Sequence, residues 1–160
     1  MQFVIFLLFA AGIVALDQFT KYLTVVHIPL YGSVDFIPGF LGLTHCRNNG
    51  AAFSSFEGMQ WLFALIFLFF TAAILWEYFK KPMPFTRVER WCVAAIYGGG
   101  LGNMIDRLRY GYVVDMIETQ FMDFPIFNVA DCFITCGCIA LMAHLVLCNK
   151  AFWKDGKKKN

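Results

Sequence analysis

The chain has 160 residues, of which 59% are hydrophobic and only 15% are charged, and its formal net charge is +2. A water-soluble domain of this composition would expose more contiguous apolar surface than soluble proteins tolerate. The composition therefore excludes an ordinary water-soluble domain. The small net charge does not indicate a nucleic-acid partner, and the length corresponds to a single domain. We therefore expect residues 1–160 to form one integral-membrane domain.

Four apolar segments, each close to the roughly 20 residues that cross a bilayer, determine the expected architecture. They run approximately over residues 3–26, 60–79, 91–108 and 129–147. Residues 28–58 differ, because glycine and proline separate short runs at 34–37 and 40–46 that are typical of strands. Open strand edges cannot lie in hydrocarbon, so we expect this part outside it. The predicted fold is all-α, with four transmembrane helices and a small extracytoplasmic β platform.

Lysine and arginine are distributed unevenly between the connections, and this predicts the orientation in the membrane. Nine of them lie between the second and third segments or after the fourth: Lys80, Lys81, Arg87, Arg90, Lys150, Lys154, Lys157, Lys158 and Lys159. The other four, which border the remaining connections, are Lys21, Arg47, Arg107 and Arg109. Positively charged loops tend to stay in the cytoplasm. Both termini are therefore expected in the cytoplasm, and the first and third connections outside.

Charged and small residues within the first and third segments indicate contacts inside a helix bundle. Asp17 and Lys21 stand four residues apart, on one helix face. They could form a neutralised pair from which Lys21 extends toward the interface, or they could support an active site. Gly98 and Gly102 share a stripe with Asp106, and small residues at this spacing allow close packing between helices.

Asn103 and Arg107 form a second pair with four-residue spacing in the third segment. Two interpretations remain open for them. They could belong to a structural network with Asp106, or they could face the interior of the bundle. In the second case their amide and guanidinium donors could bind a peptide backbone.

Asp115 and Asp131, at the edges of hydrophobic segments, are the strongest indication of function. A carboxylate close to hydrocarbon is costly and usually marks a functional site. Asn128 and Asp131 have the spacing of a helix N-cap and its third residue, where the helix dipole favours an ionised carboxylate. If Asp115 lay at the same membrane edge, the two aspartates could share one proton, as in aspartic proteases. Asp131 would then be the base, and Asp115 would hold the proton.

Two other classes of function would use residues of the same segments. Three cysteines between residues 132 and 138 could serve a four-helix thiol oxidoreductase that uses a quinone, although no Cys-x-x-Cys pair occurs. Asp17, Asp106 and Asp131 could instead form the relay of a small proton carrier. No histidine spacing indicates a metal site, and we expect neither a metal nor an organic cofactor.

Four blocks of polar residues and glycine are distributed over nearly the whole chain. They are Asp17-Gln18-Phe19-Thr20-Lys21; Arg47-Asn48-Asn49-Gly50-Ala51-Ala52-Phe53-Ser54; Gly99-Gly100-Leu101-Gly102-Asn103-Met104-Ile105-Asp106-Arg107 with Gly111-Tyr112-Val113-Val114-Asp115; and Phe127-Asn128-Val129-Ala130-Asp131. In their order and spacing, these blocks resemble the lipoprotein signal peptidase (signal peptidase II) family. The resemblance implies a membrane aspartyl endopeptidase that removes signal peptides from prolipoproteins. It would cut before a cysteine that carries diacylglycerol.

The resemblance also implies roles for individual residues and a location for the protein. The catalytic pair would be Asp115 and Asp131. The other site residues would be Asn48, Asn103, Arg107 and Asn128, which line the site, and Asp17, Lys21 and Asp106, which support it. The implied partners are a prolipoprotein with a diacylglyceryl cysteine and membrane lipid. The implied location is the bacterial cytoplasmic (inner) membrane, crossed several times, with the active site near its outer face.

Overall fold

The computed structural model describes residues 2–50, 58–80 and 84–149, and most of these residues are helical. The helices are α1 (Gln2–His27), α2 (Gln60–Phe79), α3 (Arg87–Tyr110) and α4 (Val129–Leu147), and the strands are β1 (Ser33–Ile37), β2 (Leu41–Asn48) and β3 (Val113–Thr119). The expected combination of a mostly helical chain with a small sheet is confirmed. Residues 51–57 of the expected platform lie outside the described residues, as do Lys81 and the lysines from Lys150 onward.

Three of the helices are long and apolar enough to cross a membrane. Within the described residues these segments are Phe3–His27, Gln60–Phe79 and Val129–Leu147. Helix α3 is not among them, because it carries several charged residues as well as the buried Asn103 and Asp106. The fourth transmembrane helix therefore stays a prediction.

Helix α3 packs closely against both α1 and α4, because glycine occupies the points of contact. A Cβ atom on Gly98 would lie 2.9 Å from the backbone oxygen of Ala10 in α1. A Cβ atom on Gly99 would lie 2.5 Å from the backbone oxygen of Ala130 in α4. On Gly102, a Cβ atom would be 2.6 Å from Oδ2 of Asp17. The expected stripe of Gly98 and Gly102 is confirmed as the contact with α1, and Gly99, which is not part of that stripe, makes the contact with α4.

The three strands form one antiparallel sheet in the order β1-β2-β3. Strands β1 and β2 lie where the sequence predicts short strands, with slightly different ends. Strand β3 comes from the connection that precedes α4, and in its pairing with β2 the residue Cys46 stands opposite Asp115. Residues 113–116 of β3 are all buried, so both faces of this part of the strand are covered. The sheet thereby places Asp115 beside the end of α3.

We predict that Gly99→Ala lowers the free energy of unfolding by about 1–3 kcal/mol, because the new methyl group must displace the backbone of α4. Gly12→Ala is the matched control, since Gly12 is a helical glycine whose Cβ would meet nothing within 4 Å. This control should be neutral or stabilising by up to about 1 kcal/mol. Thermal unfolding of both purified variants in detergent measures the difference. Equal melting temperatures would contradict the packing described for α3 and α4.

Candidate active site

Lys21 of α1 lies inside the bundle, with only 3% of its surface exposed. Its Nζ atom is 2.8 Å from Oδ2 of Asp17, 3.0 Å from Oδ2 of Asp106 and 2.8 Å from Oδ1 of Asn103. An ammonium group has three donors, so these contacts use all of them. The expected pairing with Asp17 is confirmed, whereas the interpretation that Lys21 extends toward the interface is wrong. A second buried carboxylate, Asp106, draws the ammonium group inward.

Asp17 and Asp106 also bind the backbone of neighbouring elements. Oδ1 of Asp17 accepts a hydrogen bond from the backbone N–H of Ala130 at 3.0 Å, in the first turn of α4. Oδ2 of Asp106 accepts one from the backbone N–H of Val114 at 3.1 Å, in β3. Each of these backbone donors directly precedes one of the two aspartates that the sequence predicts to be catalytic. The two supporting carboxylates therefore fix the positions of both chain segments.

Two asparagine side chains connect Lys21 to this aspartate pair. Because Lys21 can only donate, Oδ1 of Asn103 must face it, and Nδ2 of Asn103 donates to Oδ1 of Asp131 at 2.8 Å. The same Asn103 oxygen accepts from Nδ2 of Asn128 at 3.0 Å. Nδ2 of Asn128 also donates to Oδ1 of Asp115 at 2.7 Å. The directions of these hydrogen bonds between side chains therefore follow from Lys21.

Asp131 lies in the first turn of α4, for which Asn128 is the N-cap. Oδ1 of Asn128 accepts from the backbone N–H of Asp131 at 2.9 Å, and Oδ2 of Asp131 accepts from the backbone N–H of Asn128 at 3.2 Å. This reciprocal capping box confirms the expected cap. The cap fixes the carboxylate of Asp131 at the N-terminus of α4.

Asp115 is only 2% exposed and occupies a different environment from Asp131. Burial raises the pKa of Asp115 from its ordinary value of 3.8 to about 6, and the negative charge of Asp131 adds to the effect. Hydrogen bonds from Asn48, at 2.9 Å, and from Asn128 partly offset this rise in the pKa. The two carboxylates are thus close enough to interact, and Asp115 is the one whose neutral form is favoured.

Arg107 extends from α3 toward α2 and the end of β2. Its Nη2 atom donates to the backbone oxygen of Gly50 at 2.8 Å. Its guanidinium carbon lies 4.3 Å from the ring centroid of Phe63, at cation–π distance. Its Nε atom is buried and has no hydrogen-bond partner among the described residues. Arg107 therefore retains an unused donor.

A cavity of about 850 Å³ adjoins both aspartates and lies between α2, α3 and α4. Its polar wall includes Asp115, Asp131, Asn48, Asn103 and Arg107, and most of the remaining wall is apolar. The volume is suitable for a sizeable, largely apolar ligand. Asn128 is fully buried and is not part of the wall, so it binds the two aspartates from behind.

Known proteins are similar to this one in both sequence and fold. The pattern of the signal peptidase II (SPase II) family matches residues 9–147. The chain belongs to the signal peptidase II family. A lipoprotein signal peptidase of Enterococcus faecalis is 45% identical to it over 157 residues, which cover 96% of this chain and 94% of that protein. Another, from Streptococcus agalactiae, is 43% identical over 148 residues and covers 92% of this chain and 91% of its own.

A solved structure described as a bacterial membrane enzyme has the same fold as this signal peptidase II family member. The two superpose with a TM-score of 0.81 at 34% identity, over 97% of this chain and 91% of the other. A second structure, described in the same way, gives a TM-score of 0.79 over 90% of this chain and 94% of its own. The helices and sheet around the aspartates thus form an arrangement that other membrane enzymes share.

In this signal peptidase II family member, some residues of the site have contacts that the sequence does not predict. Nε2 of Gln18 donates to Oδ1 of Asp106 at 2.8 Å and lies 3.3 Å from Oδ2 of Asp17. Four-residue spacing does not detect Gln18, because its position on the helix is offset from the face shared by Asp17 and Lys21. Arg107 also contacts the ring of Phe63, which carries no sequence signal, and the backbone oxygen of Gly50, which belongs to the second of the four blocks but had no role predicted.

We predict that Lys21→Met lowers the free energy of unfolding by about 3–5 kcal/mol, because two buried carboxylates, Asp17 and Asp106, lose the cation that pairs with both. Lys80→Met is the matched control, since Lys80 is exposed at the end of α2 and the substitution changes net charge equally. It should change stability by less than about 0.5 kcal/mol. Thermal unfolding in detergent tests both variants. If Lys21→Met melted at the same temperature as Lys80→Met, the central role of the lysine would be wrong.

Proposed function

We propose that this protein removes signal peptides from prolipoproteins by aspartyl catalysis, with Asp115 and Asp131 as the catalytic pair. One observation carries the proposal: a single residue, Asn128, binds both carboxylates at the wall of a largely apolar cavity. The two carboxylates have different environments, since one is buried in a strand and the other lies at a helix N-terminus. Such a difference assigns the acid to one group and the base to the other.

In the proposed mechanism, Asp131 is the base and Asp115 is the acid. Asp131 takes a proton from a water molecule between the pair, and the resulting hydroxide adds to the scissile carbonyl carbon. Asp115 donates its proton to the carbonyl oxygen at the same step. Asp131 then passes its proton to the leaving amine as the C–N bond breaks, and the hydroxyl proton of the intermediate returns to Asp115. The reaction consumes one water and regenerates both groups.

The remaining polar residues of the site divide into two roles. Asn48 donates to Asp115, and Asn103 donates to Asp131, so we assign both to positioning the catalytic pair. Arg107 lines the cavity and donates to the backbone oxygen of Gly50, so it is the better candidate to bind a carbonyl of the peptide backbone. Correct placement of the substrate supplies a large part of the rate enhancement in reactions of this kind.

The apolar wall of the cavity is suited to a substrate that carries a lipid. Ile66 and Cys136 line the cavity and are also exposed on the outside of α2 and α4. The cavity therefore reaches the apolar surface that faces lipid. A diacylglyceryl group on the substrate cysteine could lie there while the adjacent peptide bond reaches the aspartates. The relatives named lipoprotein signal peptidase support a prolipoprotein with such a cysteine as the substrate.

We also propose four transmembrane helices in one integral-membrane domain, in the bacterial cytoplasmic membrane. Helix α3 has 24 residues, which is long enough to cross, and its Asn103 and Asp106 are turned toward α1 and α4. The distribution of lysine and arginine favours cytoplasmic termini. The aspartates would then lie near the outer face of the membrane, beside the sheet.

The two alternative functions have less support. The cysteines in α4 do not have the Cys-x-x-Cys spacing that is typical of thiol oxidoreductases. Asp17 and Asp106 are both paired with Lys21 and bound to backbone N–H groups. Carboxylates that are fixed in this way are poorly suited to a mobile proton relay.

We predict that Asp115→Asn and Asp131→Asn each lower kcat by a factor of about 10²–10⁴ or more. Asp123→Asn is the matched control, because Asp123 is exposed and lies in the same connection. The assay uses a diacylglyceryl-modified prolipoprotein in detergent, with the unmodified precursor for comparison. Mass spectrometry should locate the cut before the lipid-bearing cysteine. Full activity in either catalytic variant, with folding verified by thermal unfolding, would show that this aspartate is structural.

We predict that activity falls as the pH rises above about 6, because the pKa of Asp115 is raised to about 6 and the acid must be protonated. The value of kcat/KM should then decrease tenfold per pH unit. Because the pKa of Asp115 is higher in the folded protein than its ordinary value of 3.8, protonation of Asp115 stabilises the folded state. This contribution to stability is complete below pH 3.8 and is lost as the pH rises through about 6.

Asn48→Ala tests the origin of this pH dependence. The variant removes a hydrogen bond that stabilises the ionised form, so the pKa of Asp115 should rise further. The falling limb of the kcat/KM profile should therefore move to higher pH, whereas Asp123→Asn should leave it in place. A limb that did not move in Asn48→Ala would indicate that another group controls it.

A further inference from the structure

A second cavity, of about 300 Å³, lies at the opposite end of the bundle from the aspartates, between α1, α2 and α3. The residues that line it are Ile5, Phe6, Tyr78, Arg87, Arg90, Trp91 and Ala94. Arg87 and Arg107 of α3 are 20 positions apart, which corresponds to about 30 Å along a helix axis. The residues of this second cavity are therefore distant from those that we assign to catalysis.

The cavity carries net positive charge, and Arg87 is its source. Nη1 of Arg90 lies 3.0 Å from Oε1 of the buried Glu77, so this ion pair neutralises Arg90. The guanidinium carbon of Arg90 is also 5.5 Å from the ring centroid of Tyr78, which fixes its orientation. Arg87 is exposed and forms no ion pair with any described residue. One guanidinium charge thus remains available to an anion.

Aromatic residues mark this cavity as a site at the membrane–water interface. Trp91 is 44% exposed and contacts Phe9 edge-on, with 4.7 Å between the ring centroids. Tyr78 contacts Phe6 at 5.4 Å. Tryptophan and tyrosine concentrate at the level of lipid headgroups. The apolar part of the cavity continues onto Ile5 and other exposed apolar residues of α1, which offer a surface for an acyl chain.

We propose that this cavity binds the headgroup of an anionic phospholipid, with the guanidinium group of Arg87 as the main ligand of the phosphate. A guanidinium group can donate two parallel hydrogen bonds to phosphate oxygens, and basic pockets between transmembrane helices are suited to anionic lipid. The apolar part of the cavity favours a lipid over a free phosphate ion. A zwitterionic headgroup is a poorer ligand, because its ammonium group would approach Arg87. In the proposed orientation the lipid belongs to the cytoplasmic leaflet.

The test is a titration of the purified full-length protein in detergent with phosphatidylglycerol, with retained lipid counted by native mass spectrometry. Arg87→Gln should weaken binding about fivefold, the effect of one basic residue near anionic lipid. Arg109→Gln is the matched control, since Arg109 is exposed near the other end of α3 and loses the same charge. This control should bind like the parent protein. Arg87→Lys, which keeps the charge, should bind more tightly than Arg87→Gln.

Two further measurements identify the ligand. Phosphatidylcholine should bind more weakly than phosphatidylglycerol, and inorganic phosphate at the same concentration should not displace the lipid. Equal binding by Arg87→Gln and Arg109→Gln, or by the two lipids, would overturn the proposal. Displacement of the lipid by inorganic phosphate would show a general anion site instead. These measurements do not involve peptide cleavage, so their result is independent of the catalytic proposal.

Discussion

The buried ammonium group of Lys21 is the constraint on which the rest of the site depends. It can only donate, so it determines which way the Asn103 amide points and, through it, the orientation of the Asn128 amide. Lys21 also forms ion pairs with two buried carboxylates, Asp17 and Asp106. Without the cation these carboxylates would be costly inside the bundle. The arrangement of donors and acceptors at the aspartate pair thus originates in a residue of another helix.

The surroundings of Asp115 explain why its pKa is raised. The buried cluster contains two cations, Lys21 and Arg107, which face three carboxylates even before Asp115 is counted. Asp115 is buried beside these groups, so its ionised form would place one more negative charge in a largely desolvated environment. The raised pKa of Asp115 reflects this burial and the nearby charge of Asp131. Helix packing and the acid–base properties of the site are therefore connected, because glycine allows α3 to bring these groups together.

Local patterns predicted much of the fold, and contacts distant in sequence account for what they missed. Helices α2 and α4 occupy the residues expected from uninterrupted apolar runs, and the spacing of Asn128 and Asp131 revealed the cap. Helix α3 begins earlier than expected, at a capping box between Thr86 and Glu89 that the sequence does contain. The bounds of β3 were not predicted, because its first part is buried on both faces and shows no alternation. The inward direction of Lys21 depends on Asp106, far along the chain.

The two hydrogen bonds that position the segments of Asp115 and Asp131 have a consequence for inhibitor design. Their donors are main-chain amides of Ala130 and Val114, which almost any replacement at these positions would retain. Their acceptors, Asp17 and Asp106, share Lys21, so a change in either would disturb the charge balance of the whole cluster. A compound that bound the aspartate pair itself would thus contact a part of the protein with few tolerated substitutions.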